Sequence, residues 1–143
     1  MDAGGTREAA ASTFVVKPME AAPGCYELVL QGRIYADLAP KLKNELLRLA
    51  DGGMQQLVVD ARGLEQIDSS GLNVFVTLLK QIRPQGGKIT FFGLNENIAR
   101  VFEITKLRTV MDVTRTRQEA VGKAVPLGEA LDGPAQERPG AGA

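Results

Sequence analysis

The segment from Leu57 to Phe92 limits the fold more than any other. Leu57-Val58-Val59 is an apolar run without polar alternation, as expected of a strand covered on both faces. Ile67-Asp68-Ser69-Ser70-Gly71-Leu72 then opens a long apolar-periodic stretch that stops before Pro84. Gly86-Gly87 leads from there into the β-type run Lys88-Ile89-Thr90-Phe91-Phe92. A strand, a helix and a strand in that order make a crossover unit, with parallel strands and a right-handed connection. Helices must then cover the sheet, so the spacing predicts an α/β domain.

The flanking segments extend this unit. Phe14-Val15-Val16-Lys17 and Cys25–Gln31 are β-type runs joined by the turn residues Ala21-Ala22-Pro23-Gly24, which predicts an antiparallel hairpin ended by Gly32. Asp37 is placed to cap a helix over 38–50 that admits Pro40 in its first turn, carries Leu38, Leu42, Leu46 and Leu49 on one face and stops at Asp51-Gly52-Gly53. Residues 55–60 are expected to form the central strand, with Asp60 anchoring the loop that follows. Beyond Phe92, Asn95 caps a helix bearing Ile98, Val101 and Phe102, Thr109–Val113 supplies a short strand, and a last helix over about 116–124 turns Ala120, Val121 and Ala124 inward. One domain is predicted over residues 13–124, with a mixed sheet, antiparallel in its first pair and parallel afterwards, and helices mainly on one side. Residues 1–12 and 125–143 lack the apolar surface to offset ordering entropy and are expected to be a flexible start and a disordered tail.

Composition removes several function classes. Lys plus Arg and Asp plus Glu stand at 17 each, so no field of one sign draws the 143-residue chain to nucleic acid or an anionic membrane. Histidine is absent, which excludes His-based triads and the commonest metal ligand. The single cysteine, Cys25, cannot form an internal disulfide, reads as a packed strand residue and suits a reducing compartment. No run approaches the roughly 18 apolar residues of a membrane span, and the start has no apolar signal core, so a soluble cytoplasmic protein is expected. With no phosphate-cradling loop and no metal cluster, neither an enzyme nor a cofactor is expected.

Chemistry concentrates at Asp68-Ser69-Ser70. The first turn of a helix has unpartnered N–H groups and partial positive charge, so hydroxyls, carboxylates and phosphates are favoured there. Asp and Ser are also the ordinary helix caps; Ser70 therefore suits a cap, a phosphate acceptor, or both. At 100° per residue Leu72, Phe75, Val76, Leu79 and Ile82 form the expected core arc of this helix, leaving Ser70, Val74, Thr77, Leu78 and Gln81 on an opposite, unusually apolar arc that reads as an interaction surface.

The Leu57–Asp60 strand, the Asp-Ser-Ser-Gly-Leu corner, Gly86-Gly87-Lys88, and Ile98–Leu107 followed by Val110 resemble the STAS domain over roughly residues 13–122. That fold is shared by bacterial anti-sigma factor antagonists and the cytoplasmic tails of sulphate transporters. The resemblance implies partner switching: an anti-sigma factor that is also a serine kinase of histidine-kinase-like ATPase fold binds the unmodified protein, phosphorylates the second hydroxyl of the motif, here Ser70, and is released until a serine phosphatase resets it. Asp68, Ser69, Gly71, Val74, Thr77 and Leu78, with Arg33 and Tyr35 beside the corner, are the implied contact residues. Gly32-Arg33-Ile34-Tyr35 departs from the antagonists' usual Gly, acid, aliphatic, Asp, which also admits a scaffold subunit without a phosphate cycle, in a stress-signalling complex or beside a lipid-transporting ATPase.

Overall fold

In the computed structural model, which describes residues 12–20 and 22–124, five strands form one sheet in chain order. β1 (Thr13–Pro18) pairs antiparallel with β2 (Cys25–Ile34), and β3 (Gln56–Ile67), β4 (Lys88–Phe92) and β5 (Asp112–Thr114) follow in parallel. α1 (Ala39–Asp51), α2 (Ser69–Ile82) and α3 (Glu96–Ile104) make the three crossovers. Each parallel strand is added on the same side of the last, so three right-handed crossovers place all three helices on one face. Leu28, Leu57, Val59, Ile89 and Phe91 meet Leu42, Leu46, Phe75, Leu79, Ile98 and Phe102 in the core there. Phe91 holds it edge-on, with ring centroids 5.0 Å from Phe75 and 4.9 Å from Phe102.

α4 (Arg117–Ala124) covers the other face, where Ala120 and Ala124 pack on Val58 and Phe92. Two buried acids sit on that face. Glu27 takes Nε and Nη2 of Arg117 at 2.9 and 2.8 Å, and Asp60 takes Nε and Nη2 of Arg62 at 3.0 and 2.8 Å. The Arg117 and Arg62 guanidiniums hold these two carboxyls below the usual carboxylate range. Cys25 is buried, with Sγ 3.8 Å from the Ala124 carbonyl.

The fold class and element order are as the sequence predicts, while several boundaries differ. β2 does not stop at Gly32, whose φ of +80° sits at a register shift that lets the strand bend and continue. β3 extends beyond residue 60 to Ile67, pairing with β2 as far as Ile34, so no loop separates the central strand from the corner. Asp60 is correspondingly within the strand and anchors Arg62, through the residue's backbone N–H as well as its guanidinium. The cap position of α1 is Leu38 rather than Asp37, because the chain already turns on the Tyr35 carbonyl, which accepts the N–H groups of Leu38 and Ala39. A 3₁₀ turn over Leu107–Thr109 delays the last strand to Asp112. The expected flexible start, apart from Ser12, and the expected tail lie outside the described residues.

Candidate functional site: a capped corner between β3 and α2

β3 ends at Ile67, and Asp68, in extended conformation, caps α2 by accepting the Gly71 N–H at 3.1 Å. The Asp68 N–H in turn donates to the Ile34 carbonyl at the end of β2. Ser69 and Ser70 thereby occupy the first two helical positions, whose N–H groups have no intrahelical acceptor. Ser69 is exposed and Ser70 half-buried.

Gly71 explains why the corner is tight. A Cβ on it would lie 2.6 Å from Ile67 Cγ1 and 2.7 Å from the Ile34 carbonyl oxygen. Only the missing side chain lets the first turn of α2 rest on the ends of β2 and β3. Gly71 is therefore buried beneath the surface that the corner presents.

The exposed side of α2 differs from the expected arc. Val74 and Leu78 are 2% and 0% exposed and belong to the core, because α1 packs against that side of α2. These two residues are corrected from contact surface to core. Ser69, Asn73 and Lys80 face solvent, with Ser70, Leu72, Val76, Thr77 and Gln81 partly exposed around them. Thr77 keeps a place on the outer surface; Gln81 is tied to α1 by donating to Asp51 Oδ1 at 2.6 Å.

Beside the hydroxyls, α1 and α2 diverge around an open groove of about 390 Å³ lined by Ser70, Asn73 and Val74 from α2 and Ala36, Ala39, Pro40, Lys43 and Asn44 from the α1 side. Sequence reasoning missed Lys43 and Asn44. The signal was available, since consecutive right-handed crossovers put these helices side by side. Tyr35 is half-buried and its hydroxyl donates to Gln66 Oε1, while Arg33 is exposed on β2 and its backbone N–H donates to Ser12 Oγ at 3.0 Å. Tyr35 immediately precedes the groove-lining Ala36; Arg33 lies outside the groove.

Among the described residues no cluster of three Cys, Asp or Glu side chains is arranged to hold a metal ion, and no helix is long and apolar enough to cross a membrane. This is an α/β domain that offers a hydroxyl-bearing corner and a helix face beside an open groove. The model of the STAS domain family matches residues 17–120, and the chain belongs to that family. It is 33% identical over 92 residues to the anti-sigma-B factor antagonist of Bacillus subtilis, covering 64% of this chain and 84% of that protein. The fold is similar to the crystal structure of an anti-sigma factor antagonist from Mycobacterium paratuberculosis, with TM-score 0.71 and 18% identity over 82% of this chain and 97% of that one. It is also similar to the Bacillus cell fate determinant SpoIIAA in its phosphorylated form, with TM-score 0.64 and 16% identity over 79% and 100%.

Proposed function

We propose that this protein is an anti-sigma factor antagonist that works by partner switching in a bacterial cytoplasm. In its unmodified state it binds an anti-sigma factor/serine kinase through the corner and the outer face of α2, releasing a sigma factor. The kinase passes the γ-phosphoryl group of ATP to Ser70 Oγ, which gives up its proton as ADP leaves, and the complex separates. A serine phosphatase then hydrolyses the ester with water, restoring the hydroxyl and liberating inorganic phosphate. The protein itself is a substrate and a binding partner, not an enzyme.

The observation that carries this reading is the partly exposed Ser70 hydroxyl on the first turn of α2, beside an open groove and held there by Asp68 and Gly71. A phosphate of about −1.5 to −2 charge at a helix N-terminus is tolerated by the fold, so the modification acts on binding. The names of the similar proteins, and the existence of a phosphorylated form of SpoIIAA, support the same reading. The contact set we infer is Asp68, Ser69, Ser70 and Thr77 with Asn73 and Lys80, and Arg33 and Tyr35 at its border.

Intact-mass analysis after incubation with ATP and the partner kinase tests the proposal. One added phosphate on the native chain, retained in Ser69→Ala and lost in Ser70→Ala, is the expected result; an unmodified chain overturns the switch. Arg33 and Tyr35, the latter bonded to Gln66, make the corner less acidic than in the antagonists it resembles. They favour as second reading a scaffold subunit that binds through the same face without a phosphate cycle.

A further inference from the structure

We infer that Lys43 is a phosphate-holding residue, and that a phosphate on Ser70 is held within the groove between α1 and α2 instead of projecting into solvent. This rests on Ser70 being the acceptor. The groove is large enough for a phosphoryl group, at about 390 Å³, and Ser70 is on its wall. Among the described residues three further polar side chains line it, Lys43, Asn44 and Asn73, and of these Lys43 is the charged one. Among the described residues Lys43 makes no ion pair, so its ammonium is free to serve a new anion. Lysine suits this role because its four-carbon stem lets a point charge reach across a gap without fixed fork geometry. The Asn44 and Asn73 amides can donate to the remaining phosphate oxygens. Of the neighbouring acids, Asp68 is occupied by the Gly71 N–H and Glu45 by Arg48, and neither they nor Asp37 line the groove.

A phosphate seated in this groove fills a concavity next to the docking face and is partly neutralised by Lys43. Release of the partner then comes from occupancy of the groove as well as from charge.

The test places phosphoserine at position 70 during translation, so that it needs no kinase, and follows its second ionisation by 31P NMR. An adjacent cation favours the dianion, so Lys43→Met is expected to raise the midpoint by roughly half a pH unit, with Lys43→Arg restoring it. Phosphoserine placed at Ser69, which does not line the groove, is expected to be insensitive to Lys43→Met. Equal midpoints at position 70 with and without Lys43, in variants shown by circular dichroism to be folded, overturn the inference, as does an equal response at position 69. A kinase that leaves the native chain unmodified overturns the switch and not this contact, so the two failures are separable.

Discussion

Gly71 rests directly on Ile34: a Cβ at position 71 would stand 2.7 Å from the Ile34 carbonyl oxygen and 3.0 Å from its Cγ2. The oxygen is backbone at the end of β2 and cannot yield as a flexible side chain would. It also accepts the Asp68 N–H, so the same carbonyl seats the cap and the first turn of α2.

Gly71→Ala is therefore expected to lift the start of α2 from the sheet. Overpacking of this kind costs about 1–3 kcal/mol, measured as a drop in the urea midpoint. Because Ser70 moves with the turn, phosphorylation by the partner kinase should fall more than the lost stability accounts for. Unchanged stability would show that the corner is looser than this packing requires.

Asp68 separates capping from charge. Asp68→Ala removes the acceptor for the Gly71 N–H and is expected to cost about 1 kcal/mol. Asp68→Asn keeps an acceptor oxygen and should lie within a few tenths of a kcal/mol of the native chain. Chemical denaturation of the two variants checks this, and equal losses would mean that the carboxylate acts through its charge.

On the second face the buried carboxylates make stability depend on pH. Arg117 above all lowers the pKa of Glu27 from its ordinary 4.5, and Arg62 that of Asp60 from 3.8. A carboxyl with a lower pKa in the folded than in the unfolded state contributes stability above the unfolded value and loses it as pH falls through the folded one. Thermal melting temperatures should therefore decline as pH is lowered from about 4.5, and decline less in Glu27→Gln. At neutral pH Arg117→Ala should destabilise more than Glu27→Gln, because it strands an acid whose side chain is 6% exposed, whereas the Arg117 side chain is 49% exposed. The reverse order would show that leaving the Glu27 carboxylate unpaired is not the larger cost.

What the sequence revealed, and what it hid, follows from the range of each interaction. β1 to β4 and the crossover order were legible because alternation, apolar runs and Gly or Pro stops are local. The Asn95 cap was equally local, and it accepts the Ile98 N–H as expected. The extension of β3 to Ile67 was hidden, since Arg62-Gly63-Leu64-Glu65-Gln66 has no strand pattern and is held extended by pairing with β2. The pairing of Glu27 with Arg117, distant in the chain, leaves no local mark. The exposed face of α2 is hidden for a related reason: Leu72, Val74, Phe75, Val76, Leu78 and Leu79 surround most of the helix, so periodicity alone leaves its rotation open. The neighbouring α1 decides it by burying Val74 and Leu78.

That rotation is itself testable. Leu78→Ala should cost about 2–5 kcal/mol, as for a fully buried leucine. Asn73→Arg, on the exposed side, should change stability by no more than about 0.5 kcal/mol while weakening capture of the anti-sigma partner. If Asn73→Arg leaves capture unchanged in a pull-down with purified partner, the outer face of α2 is not the docking surface.

The final prediction isolates charge at the acceptor itself. Ser70→Asp adds a carboxylate at the second position of α2, where the helix dipole favours a negative group, so the melting temperature should stay close to that of the native chain. Docking would have to desolvate that carboxylate at the edge of the contact face, and a few kcal/mol suffices to reverse binding. Calorimetric titration should show loss of kinase-partner capture in Ser70→Asp and its retention in Ser70→Ala, which keeps the surface neutral. Equal affinities for both would remove Ser70 from the interface, and loss in both would mean that the hydroxyl itself makes the contact.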